Sequence, residues 1–344
     1  MLPDLLSDPL ILAPPPRFAE GPLREVLARR FGLEGVLEPL GGERDRNFRL
    51  IPASGGLPLL VKLAHPDEEP AVTDFQTAGL LHLEAADPTL PVPRVLRTTE
   101  GATAIPHATE DGRPSLLRVL TYLAGRPMTD PAGASPPMAR ALGGLVARLD
   151  RALAGFAHPA DGRRLVWDLR EAPALRALLP DVADPALRVL AESALDRFEA
   201  GPSAFLASRP DQVIHNDLNP HNVLVEAEAP ERLAGIIDFG DMIRAPRLQE
   251  VATTGAYLLR PGPDPLAAPG AFLAGYRSVL PLGEDEAAHM PALIATRLAM
   301  TVLITSWRAR RQPENATYIL RNQPGARAGL EWLMRRTLTP LQEE

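Results

Sequence analysis

The segment VIHNDLNPHNVLV, residues 213–225, is followed closely by IIDFGD, residues 236–241. Each is a polar loop set beside short apolar runs, the pattern of loops hung between buried strands. In the first, His215, Asp217 and Asn222 stand in the order H-x-D-x-x-x-x-N; in the second, Asp238 opens D-F-G. Transfer of a phosphoryl group to an alcohol needs a carboxylate that orients the hydroxyl and accepts its proton. It also needs oxygen donors for the Mg²⁺ that bridges the phosphates. Asp217 suits the first task. Asn222 and Asp238 suit the second, because Mg²⁺ takes oxygen ligands and only a few from protein. Either motif alone occurs by chance; both, in this order, form a specific pattern. His215 reads as a hydrogen-bonding group that fixes the loop, and His221 as a solvated or packing residue rather than a metal ligand.

Working outward, the N-terminal third has a different period. A helical pattern over 17–32 ends at a glycine, a natural stop. GVLEPL, RNFRLIPA and LPLLVKLA then read as three short strands separated by the turns GGERD and SGG. AVTDFQTAGLLHLEA, 71–85, returns to helical spacing, and VPRVLRT and SLLRVLTYL read as two more strands around a polar EDGRP turn. From about residue 135 the spacing is helical, including one long helix over PALRVLAESALDRFEAGPSAFL, 185–206. The expected class is α+β: residues 1–120 a leader helix and small antiparallel β lobe, residues 121–344 a larger, mainly helical lobe. TYLAGRPMTDPAGAS, 121–135, is the expected hinge.

Of 36 lysines and arginines only one is lysine, Lys62, in the third strand-like run. Arginine does not replace lysine where a compact ammonium is needed, so Lys62 is a candidate phosphate contact. With 344 residues, 45% hydrophobic and 23% charged, the chain has a globular composition. A net charge of −7 argues against nucleic-acid or anionic-membrane partners and suits a cationic small molecule. There is no cysteine, hence no thiolate nucleophile or disulfide framework. The N-terminus carries Asp4 and Asp8 and lacks a basic region, a poor signal peptide. PALIATRLAMTVLITSW, interrupted by Arg297, reads as a buried helix rather than a membrane span. The expected location is the cytoplasm; the oligomeric state is open.

The lone lysine on a strand, H-x-D-x-x-x-x-N and D-F-G together resemble the aminoglycoside phosphotransferase family, which shares the bilobal protein-kinase-like fold. Within it, GGERDRNFRL, LPVPRVLRT and IDFGDM look most similar to the hydroxylysine kinase group. The resemblance implies a Mg²⁺-dependent kinase that uses ATP or GTP. Its acceptor would be a small hydroxylated molecule, an amino alcohol or hydroxy amino acid such as 5-hydroxylysine, with an antibiotic kinase or a silent nucleotide-binding module as alternatives. It makes Asp217 the catalytic base, Asn222 and Asp238 the metal ligands, and Lys62 the contact to the α- and β-phosphates. Gly41, Gly42, Arg44 and Asn47 fall in the nucleotide-covering turn, and backbone groups of Thr121 and Leu123 would meet the purine. The helix position that usually offers Glu to the lysine is Gln76, with Glu84 as a second choice. Glu250 and His215 would support the catalytic loop. Arg297, Trp307, Arg308 and Tyr318 are candidates for the acceptor pocket, a forked arginine suiting a carboxylate.

Overall fold

The computed structural model describes residues 6, 8–42, 44–129, 135–260 and 263–335. Glu43 of the expected nucleotide turn, residues 130–134 of the expected hinge, and the chain ends lie outside the described residues. The chain divides into two compact units, residues 8–124 with 158–160, and residues 125–157 with 161 onward.

In the first unit, α1 (Glu20–Phe31) stops at Gly32, whose φ of 65° returns its N–H to Ala28, a conformation glycine adopts without penalty. Strands β1 (Gly35–Leu40), β2 (Arg46–Pro52) and β3 (Leu59–Leu63) precede α2 (Pro70–Ala86), followed by β4 (Val95–Leu96), β5 (Ile105–Ala108) and β6 (Pro114–Thr121). They form one antiparallel sheet in the order β1-β2-β3-β6-β4, with β5 also on β6. Side chains alternate between faces along a strand. Val61 and Leu63 therefore join Phe48, Leu50, Leu117, Val119 and the α1 residues Leu23 and Leu27 in one core. Lys62 falls out of phase with them, in register with Asn47 on β2 and Arg118 on β6. The hairpin around EDGRP is made by β5, not by VPRVLRT, which supplies only Val95 and Leu96. Pro91 and Pro93 withhold ladder donors from that run, whereas Pro106 sits on an edge strand where a missing N–H is tolerated.

In the second unit, β7 (Arg126–Pro127), α3 (Pro136–Leu153), a 3₁₀ segment (Leu169–Asp181), α4 (Pro185–Glu199) and α5 (Pro202–Ala207) precede β8 (Asp211–Ile214). The single helix expected over 185–206 is thus two, because Pro202 cannot donate within a helix interior and starts a new one. Next come β9 (Val223–Val225), β10 (Leu233–Ile236), β11 (Ile243–Pro246), α6 (Arg247–Leu258), α7 (Ala267–Arg277), α8 (Glu284–Arg311), α9 (Ala316–Ile319) and α10 (Gln323–Met334). Helices α3 and α7 meet backbone to backbone. A methyl group built on Gly143 would overlap the Phe272 carbonyl, and one built on Gly275 would overlap the Arg140 carbonyl. Helix α8 is apolar and long enough to cross a membrane, yet 89% of its apolar window is buried inside the fold. It is the core helix of the unit, and Arg297 lies in its middle.

Candidate active site

Strand β8 pairs with β11, and β9 pairs with β10. The 215–222 loop leaves β8 and enters β9; the D-F-G loop leaves β10 and enters β11. The pairing therefore brings both loops to one place. His215 joins them. It is fully buried, its Nε2 donates to the Ile237 carbonyl at 3.0 Å, and its Nδ1 accepts the Asp217 N–H at 3.3 Å. Burial pushes its pKa down, so the ring stays neutral and its two nitrogens keep these opposite roles. The Ile237 N–H donates in turn to the Asn222 carbonyl at 2.9 Å.

Three side chains hold the Asp217 carboxylate. Asn219 and Asn222 donate to Oδ2 at 2.9 and 2.8 Å, and Arg297 reaches Oδ1 at 3.3 Å. Asp217 keeps 24% of its side-chain surface open, whereas Arg297 keeps 1%. Enclosure by protein, then the nearby charge of Asp241, raises the Asp217 pKa to about 7; Arg297 and the Asn219 hydrogen bond act against that rise. A carboxylate so poised can both orient a hydroxyl and take its proton near neutral pH. Asp238 lies exposed, with φ 62°, and its Oδ1 accepts the Gly240 N–H at 3.3 Å. The Asn222 amide directs its nitrogen to Asp217. Its oxygen and the Asp238 carboxylate are oxygen donors of the kind a divalent ion takes, and such a charge would relieve the repulsion that Asp238 and Asp241 exert on Asp217. No group of three or more histidines or carboxylates forms a closed metal cage among the described residues.

Behind the loop, Glu250 Oε2 accepts the Asn216 N–H at 2.7 Å. Burial, and then the charge of Asp150, push the Glu250 carboxyl well above the usual range. Of the residues expected in the acceptor pocket, Arg297 lies against Asp217, donates to the Trp167 carbonyl at 2.9 Å, and has the rings of Trp167 and Tyr257 at 4.9 and 6.0 Å. Trp167 and Tyr257 were not singled out in the sequence. Trp307 is buried with the Arg311 guanidinium 4.5 Å over its ring. Tyr318 is exposed beneath Arg321, which also donates to His221 Nε2 at 3.2 Å. Arg308 is half-buried.

In the other unit, Lys62 Nζ lies 3.1 Å from Asp45 Oδ2, the two side chains being 12% and 11% exposed. Asp45, in the turn before β2, also accepts the His65 N–H through Oδ1. Gln76, expected to hold the lysine, accepts from Arg118 through its Oε1 at 2.8 Å. Arg118 is 1% exposed and draws Thr77 into the same cluster. A side chain on Gly42 would press on the Asp45 carbonyl and on Asn47 Nδ2, so this turn closes only over glycine. The Thr121 N–H donates to the Arg94 carbonyl at 2.9 Å; Thr121 and Leu123 are both half-buried.

The profile of the phosphotransferase enzyme family matches residues 36–289, a span that holds both loops and Lys62. The chain belongs to the phosphotransferase enzyme family. Mouse (Mus musculus) hydroxylysine kinase is 28% identical over 327 residues, 89% of this chain and 86% of the mouse protein. A microcompartment-associated aminopropanol kinase superposes with a TM-score of 0.71 at 19% identity, over 93% of this chain and 99% of that one. An amicoumacin kinase solved with AMP-PNP, Ca²⁺ and Ami superposes with a TM-score of 0.69 at 15% identity, over 95% and 96%. The chain is a small-molecule kinase of that family.

Proposed function

We propose that this kinase transfers the γ-phosphoryl of ATP or GTP to the hydroxyl of an amino alcohol or hydroxy amino acid, with 5-hydroxylysine as the first acceptor to test. The observation that carries the chemistry is the Asp217 carboxylate, fixed by Asn219, Asn222 and Arg297 and raised to a pKa of about 7. Similarity to hydroxylysine kinase across most of both chains supports the acceptor class.

In this reading Asp217 aligns the acceptor hydroxyl and takes its proton as the oxygen attacks phosphorus. Asn222 and Asp238 would hold Mg²⁺, which when bound neutralises charge on the phosphates. Lys62 supplies the ammonium for the α- and β-phosphates, and Asp45 keeps it extended from β3. Arg297 keeps the carboxylate turned and, by its charge, ionised enough to act as a base. His215, neutral and doubly bonded, holds the two loops in register.

A nucleotide-consumption screen over amino alcohols, hydroxy amino acids and aminoglycosides tests the proposal. The expected result is Mg²⁺-dependent turnover of 5-hydroxylysine or a close amino alcohol, at least tenfold above any aminoglycoside in kcat/KM. A preference for aminoglycosides would make the chain an antibiotic kinase. Nucleotide binding with no turnover would make it a binding module.

A further inference from the structure

Asn216, directly before Asp217, has φ 69°; it and Asp238 are the non-glycine residues at positive φ among the described residues. Left-handed backbone is disfavoured once a Cβ is present, although asparagine tolerates it better than most. Such a conformation persists where the surroundings over-determine it, and these sites cluster where geometry serves function. Here the surroundings are the first turn of α6. Glu250 takes the Asn216 backbone N–H at 2.7 Å, and Gln249 Nε2 donates to Asn216 Oδ1 at 2.8 Å. Asn216, Gln249 and Glu250 are all fully buried.

We propose that Asn216 and Gln249 form a positioning pair that sets the direction of the Asp217 carboxylate, so that α6 aims the base. The proposal rests on the reading of Asp217 as the base. Rotation about the backbone of residue 216 swings the next Cα–Cβ bond, and with it the carboxylate that Asn219, Asn222 and Arg297 receive. The pair is joined by one hydrogen bond with no substitute, since Asn216 Nδ2 and Gln249 Oε1 are buried without partners. The strands that carry the loop, β8, β9 and β11, are paired independently of this bond. Its loss therefore leaves the strand pairing in place while it frees the backbone at residue 216.

The test compares Gln249→Leu, Asn216→Gly and the double variant with the wild type and with Asp217→Asn. MgATP turnover is read with water or with the best acceptor of the screen, alongside KM for MgATP and the melting temperature. Each single change should lower kcat by about tenfold to a hundredfold, the scale of an ångström-sized misplacement, with KM for MgATP within about twofold. The double variant should be no slower than the slower single, because both changes remove one bond. Glycine is at ease at φ 69°, which offsets part of the cost of the lost bond, so Asn216→Gly is the milder of the two changes and decides the matter alone if Gln249→Leu fails to fold. Wild-type kcat in Asn216→Gly, or multiplying losses in the double variant, would overturn the pair while an inactive Asp217→Asn leaves the base assignment standing. A fully active Asp217→Asn would remove the base assignment and the pair together.

Discussion

Replacing Asp150 by asparagine should change how stability depends on pH. Asp150 lies on α3 with no exposed surface; Tyr276 donates to its Oδ2 at 2.6 Å, and its Oδ1 is buried without a partner. Burial raises its pKa from 3.8 to about 7, against the Tyr276 hydrogen bond and the Arg247 charge. The folded protein thus holds a proton that the unfolded chain releases. Below pH 4 both states are protonated and this site costs nothing. Between pH 4 and 7 the unfolded chain ionises first, so stability falls as pH rises. Above pH 7 both states are ionised and the penalty is complete. A rise of roughly 3 pKa units corresponds to about 4 kcal/mol. Asparagine can still accept from Tyr276 but never ionises. In urea melts at a series of pH values, Asp150→Asn should therefore gain on the wild type by about 3 kcal/mol between pH 4.5 and pH 8, the first ~1 kcal/mol having accrued below pH 4.5. A difference between the two proteins that stays constant within about 1 kcal/mol across that range, well short of the full linkage term, would refute the argument.

Lys62→Arg keeps the charge but widens it, and should cut turnover about a hundredfold with an unchanged melting temperature without nucleotide; full activity would show that this lysine is an accident of composition. Asp238→Ala should abolish the Mg²⁺ dependence of nucleotide binding, read by titration with and without the ion, since the Asn222 oxygen that remains is neutral. Gly143→Ala should destabilise by about 1–3 kcal/mol or more, because the new methyl meets α7 backbone. Gly144→Ala, whose methyl would find its nearest neighbour at 3.8 Å, should be neutral or slightly stabilising in the same melts.

The loops and the lysine strand were legible because their chemistry is written in short spacings. His215, Asp217, Asn222 and Asp238 carry their order with them, and Val61 and Leu63 reveal by alternation that Lys62 lies out of phase with the core. Side-chain partners distant in sequence were not legible. Asp45 is one acidic residue in a charged turn, and nothing local marks it as the partner of Lys62. Gln76 sits on the expected helix, and its amide oxygen accepts from Arg118, 42 residues on, a contact that no local pattern marks. Arginine abundance hides Arg118, which looks like every other arginine in the sequence yet is 1% exposed; Arg297 stood out as the charge inside an apolar run, but nothing local marked it as the partner of Asp217. EDGRP marked a turn correctly, but the strand leading into it is only four residues long and begins Ile-Pro, too short for alternation to show.

Helix α8 sets a limit on how acceptor preference can diverge. Arg297 reaches Asp217 from a helix whose Leu293, Leu298, Val302 and Leu303 are closed into the interior, and the hydroxyls of Thr296, Thr301 and Thr305 bond to its own backbone. Shifting that guanidinium would mean reopening the interior. The short helical segments over 313–322 carry a lighter burden: Ile319 is their one buried side chain, Tyr318 is exposed, and Arg321 spans from its ring to His221, next to Asn222. On the proposed reading of the site, selection for a new alcohol can rewrite the exposed positions of that stretch while the charge beside Asp217 stays where it is. A directed-evolution library confined to 313–322, with Ile319 kept, would on that reading explore new acceptors at little cost in folding, whereas one that includes α8 would mostly yield unfolded chains.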